Sequence, residues 1–275
     1  MRLDAHQHFW KYDAVEYDWI NDEMNIIKKN FFAEDLLPHL KQNNFDGCVA
    51  VQARQTETET FFLNKLAEEN NFIKAVVGWI DLCADNAEER MEYFTKLKAV
   101  KGFRHVLQGE TDRAKMLHAD FKKGIALLEK FNFTYDILIF NDQLKYIPEF
   151  VAAFPNQKFV IDHIAKPAIK DQQIKTWKKE IEAVAVFENV YCKISGMVTE
   201  ADWKRWKKED FNNYIEVVLE CFSAKRVMFG SDWPVCLVAA SYEEVCNIVE
   251  KATNNFSDSE KELLWGINCK NFYNI

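Results

Sequence analysis

Glycine is scarce in this chain, eight in 275 residues with none clustered, so no glycine-rich strand-to-helix loop is on hand to cradle a phosphate. No G-x-S-x-G elbow occurs either, which argues against a serine hydrolase of that type. The seven cysteines (Cys48, Cys83, Cys192, Cys221, Cys236, Cys246, Cys269) are odd in number and contain no C-x-x-C, so they read as reduced, mostly buried thiols. No apolar run reaches the roughly 18 residues that a membrane helix requires, and no charged-then-apolar leader opens the chain. A soluble, cytoplasmic protein is expected. Positive charge is in deficit: 35 Lys and Arg face 43 Asp and Glu, giving a net charge of −8. The basic residues are scattered, so neither a nucleic-acid nor a membrane partner is expected. No Gly/Ser-rich linker, low-complexity tract or repeat interrupts the chain, and residues 1–275 read as a single domain.

What is present is a hydrophobic share of 48%, arranged as short apolar runs alternating with longer amphipathic segments. That alternation is the mark of β/α units around a parallel sheet. Eight strand candidates can be counted: 2–6, 46–52, 74–80, 102–106, 134–139, 158–163, 190–195 and 226–232. Runs such as Cys48-Val49-Ala50-Val51 are apolar on both faces, as a strand buried on both sides must be. Helical stretches lie between them, and 257–273 reads as a closing helix. Pro38 predicts a late start or a break in the helix around 34–41. The fold class expected is α/β, an eight-stranded (β/α)8 barrel.

The pair His6 and His8 ends the first strand, and residues two apart share one face of a strand. If the strands close into a barrel, their C-terminal ends form one ring where polar residues are functional candidates. Those ends carry His6 and His8, Gln52 and Arg54, Trp79 and Asp81, Arg104 and His105, Asp136, Asp162 and His163, Lys193 and Ser195, and Ser231 and Asp232. His6, His8, His163 and Asp232 can supply the ligands of a Zn²⁺ or similar site, and Asp232 is the best candidate general base. The same histidines can instead polarise a carbonyl by hydrogen bonding, without a metal. Arg104, His105 and Lys193 are candidates to bind substrate or an oxyanion, although Arg104 and Lys193 can equally sit in buried ion pairs with Asp136, Asp81 or Asp162. Gln52, Arg54 and Gln108 are weaker candidates, and Trp233 could form an apolar wall. Asp162 is expected to face away from His163 and to be structural, as is Ser195; His39 and His118 read as ordinary packing or surface residues. The aromatic-rich segment 9–32 follows the first strand, where it is either a lid or substrate wall or a loop pinned by its own aromatics.

These motifs carry a resemblance. Asp4-Ala5-His6-Gln7-His8-Phe9-Trp10, Gly102-Phe103-Arg104-His105, Asp162-His163-Ile164-Ala165-Lys166-Pro167, Tyr191-Cys192-Lys193-Ile194-Ser195-Gly196 and Phe229-Gly230-Ser231-Asp232-Trp233-Pro234-Val235-Cys236 resemble the amidohydrolase-related family of the amidohydrolase superfamily, most closely its sugar-lactonase branch, the L-fucono- and L-rhamnonolactonases. The resemblance implies a (β/α)8 barrel that hydrolyses an aldonolactone, with His6 and His8 as the first-strand pair, His163 the later histidine and Asp232 the eighth-strand aspartate. Catalysis would fall to Asp232 and His163, and substrate binding to Arg104, His105, Lys193, Gln52 and Trp233. Strand five offers Asp136 where many superfamily members have a histidine, so one divalent metal per chain is the most that is implied; a related pyrone-dicarboxylate lactonase works without any. The alternatives are a metal-dependent non-oxidative decarboxylase and a sugar-acid-binding barrel without turnover. The partner implied is a small sugar lactone, with a homo-oligomer left open.

Overall fold

A computed structural model describes the whole chain, Met1–Ile275. Eight parallel strands follow one another around a single sheet: β1 Leu3–Gln7, β2 Gly47–Val51, β3 Ile73–Gly78, β4 Val100–His105, β5 Thr134–Ile137, β6 Phe159–Ile161, β7 Val190–Ile194 and β8 Val227–Phe229. The sheet closes through backbone bonds from β1 to the chain beyond β8. His8 N donates to Trp233 O at 2.7 Å, and Asp232 N donates to His6 O at 2.8 Å. Asp4 reinforces this seam, accepting from Ser231 N and from the Tyr242 hydroxyl. The product is a (β/α)8 barrel.

Each strand is followed by helix on the outside: α1 Ala33–Gln42, α2 Glu57–Glu69, α3 Ala87–Phe94, α4 Ala119–Lys130, α5 Ile147–Ala152, α6 Lys175–Ala185, α7 Glu209–Phe222 and α8 Tyr242–Ala252. Outward strand residues such as Cys48, Phe103, Tyr135 and Phe159 join the helices' apolar faces in one large core. Inward residues make a second, smaller one: Leu3, Ala5, Val49, Val51, Ala75, Val77, Val160 and Met228 fill the barrel, and Phe272 and Tyr273 plug it from below. Both faces of the sheet are therefore dry, which is why the strands read as continuous apolar runs. No helix is long and apolar enough to cross a membrane, and all seven cysteines are free thiols.

Three sequence expectations are corrected. Helix α1 starts at Ala33 and runs through Pro38 without a break. The closing segment is not one regular helix: Ser257 caps α9 Asp258–Glu262, a π turn spans Leu263–Ile267, and α10 covers Asn268–Tyr273. Strands β6 and β8 stop at Ile161 and Phe229, well short of the predicted ends. The polar residues beyond them lie in turns instead, and this reorganises the site.

Candidate active site

Strand β1 brings His6 and His8 side by side, with Nε2 atoms 3.3 Å apart. His8 Nδ1 donates to the Val51 carbonyl at 2.8 Å, which aims Nε2 at the cluster. His6 Nε2 lies 3.3 Å from Arg104 Nη1, and its Nδ1 lies 3.1 Å from Lys193 Nζ and 3.2 Å from Asp162 Oδ1. Burial drives the His6 pKa well below the ordinary imidazole value. The approach is tight: a Cβ on Gly230 would come within 2.6 Å of His6 Cβ.

After Ile161 the chain enters the left-handed region for four successive non-glycine residues, His163, Ile164, Ala165 and Lys166, with φ of 55°, 47°, 58° and 48°. Such conformations cost roughly 1–2 kcal/mol each and persist only where surrounding packing holds them. Here Trp177 Nε1 donates to Ile164 O at 2.8 Å, and Gly196, at φ 60°, leaves room for the imidazole; a Cβ there would meet His163 Nδ1 at 2.4 Å. Alternation from the inward Val160 carries Asp162 into the barrel, and the left-handed φ of His163 brings the imidazole to the same side, so Asp162 does not face away from it as expected. It is fully buried and reaches Arg104 Nη1 at 3.0 Å, Lys193 Nζ at 3.0 Å and His6. Ser195 takes His163 Nδ1 at 2.9 Å, which directs Nε2 toward Asp232. Burial lowers the His163 pKa well below the usual range too.

Asp232 also sits at positive φ, 58°, and turns its carboxylate onto the imidazoles. Its Oδ1 is 3.3 Å from His8 Nε2 and 3.9 Å from both His6 Nε2 and His163 Nε2. Burial opposes its ionisation, but His163, His8 and Lys166 outweigh that and hold the carboxyl below its ordinary value. His6, His8 and Asp232 thus bring three candidate ligand atoms together, 3.3 to 3.9 Å apart, and tetrahedral zinc with bonds near 2 Å needs ligand atoms about 3.3 Å apart. His163 Nε2 stands beside this set, 3.9 Å from Asp232 Oδ1.

A cavity of about 550 Å³ opens above this cluster. Of the expected substrate-binding residues Arg104 lines it, as do the weaker candidates Arg54 and Gln108, with His8, His163 and Asp232 at the same floor. The other four do not reach it. Lys193 is sealed in the barrel against Asp136 Oδ2 at 2.5 Å and Asp162, in the buried ion pair that was the alternative reading. His105 turns outward onto Glu110 at 2.6 Å and packs against Phe121. Gln52 is spent on Arg104, accepting from its guanidinium and donating to its carbonyl. Trp233 is buried between Phe9 and Phe31. Sequence reasoning missed Lys166, Glu200 and Trp203, which do line the cavity. Only Lys166 stood in a motif singled out beforehand. Segment 9–32 serves in both ways: Trp10, Tyr17 and Phe31 anchor it in the core, and Glu16, Asp18 and Trp19 form a wall.

Comparison with known proteins agrees with this architecture. A family model described as amidohydrolase matches residues 3–275. An L-fucono-1,5-lactonase of Burkholderia multivorans is 40% identical over 277 residues, covering 97% of this chain and 93% of its own. An L-fucono-1,5-lactonase of Burkholderia ambifaria is 31% identical, covering 88% of this chain and 83% of its own. The crystal structure of a Burkholderia multivorans amidohydrolase with bound zinc superposes with a TM-score of 0.97 at 38% identity, covering 100% of this chain and 99% of the other.

Proposed function

The chain belongs to the amidohydrolase family, and from that premise we propose that it is a sugar lactonase, opening an aldonolactone to the aldonate. The observation that carries this reading is the convergence of His6, His8 and Asp232, with His163 Nε2 3.9 Å from the Asp232 carboxylate, at the floor of the cavity. His6 and His8 through Nε2, with Asp232 and His163 alongside, would hold one divalent ion. Such an ion supplies Lewis acidity toward the ester carbonyl and its attacking water. The zinc in the similar crystal structure supports that assignment.

The chain's own residues would do the rest. Asp232, whose carboxyl is held below its ordinary value and so is ionised near neutral pH, takes a proton from the water that attacks the lactone carbonyl. When the ring C–O bond breaks, the same carboxyl returns the proton to the departing ring oxygen, leaving a hydroxyl and a carboxylic acid that releases its proton to solvent as the aldonate forms. Ser195 fixes His163, and Asp162 fixes His6 and Arg104, so that neither imidazole has to reorganise during the reaction. Arg104, at the cavity floor, stabilises the developing oxyanion.

The deciding experiment is a hydrolysis screen over L- and D-aldonolactones, run after chelation with and without added Zn²⁺. Acid release above the spontaneous rate, restored by metal, is expected. Absence of turnover on every lactone with metal present would end this reading.

A further inference from the structure

Three cations line the cavity, and each already has a carboxylate partner. Arg104 is bound to Asp162 at 3.0 Å, Lys166 Nζ lies 3.6 Å from Glu200 Oε1, and Arg54 is paired with Glu16. The last two pairs belong to the wall above the cluster of imidazoles, where the part of a substrate remote from its reacting carbonyl must lie. Both cations are largely covered, with 16% of each side chain exposed. The groups left over on that wall are uncharged donors, the side-chain amides of Gln55 and Gln108 and the Trp19 indole, together with acceptors. Gln108 Oε1 is buried and has no hydrogen-bond partner, and the exposed Asp18 adds a further carboxylate. An unsatisfied buried acceptor calls for a donor on the ligand, such as a hydroxyl. An anionic group there would meet no free cation and would have to displace Glu200 or Glu16 from its partner.

We propose that Glu200 and Glu16 are specificity-determining residues: by holding Lys166 and Arg54 in ion pairs, they close the site to lactones bearing a second, anionic group and leave it open to uncharged, hydroxyl-rich ones. The inference rests on the lactonase reading and adds the residues that set its charge selectivity. Lys166 has the larger part, because Glu200 is the better buried carboxylate of the two, with 20% of its side chain exposed against 55% for Glu16.

The test compares kcat/KM on a hexonolactone and on the matching hexaldarolactone, which differs in carrying a carboxylate at its far carbon. The wild type should prefer the uncharged lactone. Glu200→Gln frees Lys166 for a charge-assisted hydrogen bond and should raise kcat/KM on the hexaldarolactone by about 10-fold or more. Glu16→Gln should act in the same direction through Arg54. Adding Lys166→Met to Glu200→Gln should abolish the gain. Equal use of both lactones by the wild type, or folded variants active on the hexonolactone with no gain on the other, would overturn the proposal. If the wild type opens neither lactone, the lactonase reading fails on its own, and calorimetry with the open-chain hexarate and hexonate decides this one: tighter hexarate binding by Glu200→Gln than by wild type supports it, and unchanged binding overturns it.

Discussion

Lys193 Nζ lies 2.5 Å from Asp136 Oδ2, and neither side chain has any exposed surface. The same ammonium is 3.0 Å from Asp162, while Asp136 also accepts from the Tyr273 hydroxyl at 2.8 Å. One cation thus serves two buried carboxylates beneath His6. Lys193→Met should therefore destabilise the barrel by about 3–5 kcal/mol, because it strands buried negative charge. Adding Asp136→Asn should recover part of that loss. Urea unfolding of the two singles and the double measures the coupling, and purely additive losses would count against a paired role.

Asp232→Asn keeps the shape of the side chain but removes the base. The expected outcome is a fall in kcat of about 10²- to 10⁴-fold on the best lactone, with an unchanged near-ultraviolet circular dichroism spectrum. Turnover close to wild type on every lactone would show that the proton goes elsewhere.

Ser195→Ala removes the partner of His163 Nδ1 without touching the cavity floor. Metal affinity should drop by about 10- to 100-fold as the ring loses its fixed orientation, read by competition with a chromogenic chelator. Wild-type affinity in a folded variant would return Ser195 to the purely structural role expected of it.

The pH dependence follows from two directions that agree. His6 and His163 are held well below the usual imidazole value, chiefly by burial, so they are already neutral at pH 6.5 and do not titrate on the way down from pH 8. Asp232 is held below the ordinary carboxyl value, so the base also remains ionised over that range. His6, His163 and Asp232 should therefore add no ionisation step to the kcat/KM profile between about pH 8 and about pH 6.5. A single-proton fall centred near 6.5 would mean that one of these imidazoles is more open to water than its burial indicates.

Glu59 gives a separate stability signal. It is buried beneath segment 9–32, accepting from Tyr17 Oη and from the amides of Ala53 and Arg54, and burial pushes its pKa up to about 7. The folded protein then binds a proton that the unfolded chain gives up near pH 4.5, so stability falls as pH rises through that window to about 7. Relative to the wild type, Glu59→Gln should gain on the order of 3 kcal/mol between pH 4.5 and 7.5, by thermal or urea unfolding at several pH values. A difference that does not vary with pH would refute the assignment.

Much of the site could be read directly. The i, i+2 histidines on β1 needed only strand alternation, and apolar runs such as Lys158-Phe159-Val160-Ile161 needed only the rule that a strand buried on both sides is apolar throughout. That His163 shares a side with Asp162 could not be read in this way, because its direction depends on a left-handed turn built from ordinary L-residues. Lys193 and His105 sit at strand ends like Arg104, yet one points to a sealed interior and the other to the helix layer.

The sequence by itself determined the order and number of the strands and the residue types at their ends, since burial on both faces leaves a mark on composition and strand alternation leaves one on spacing. Tertiary structure alone decided which of those polar ends face the cavity and which neutralise one another. That choice depends on where each strand stops and on which opposite charge lies across the barrel, and neither is a property of a local stretch of chain.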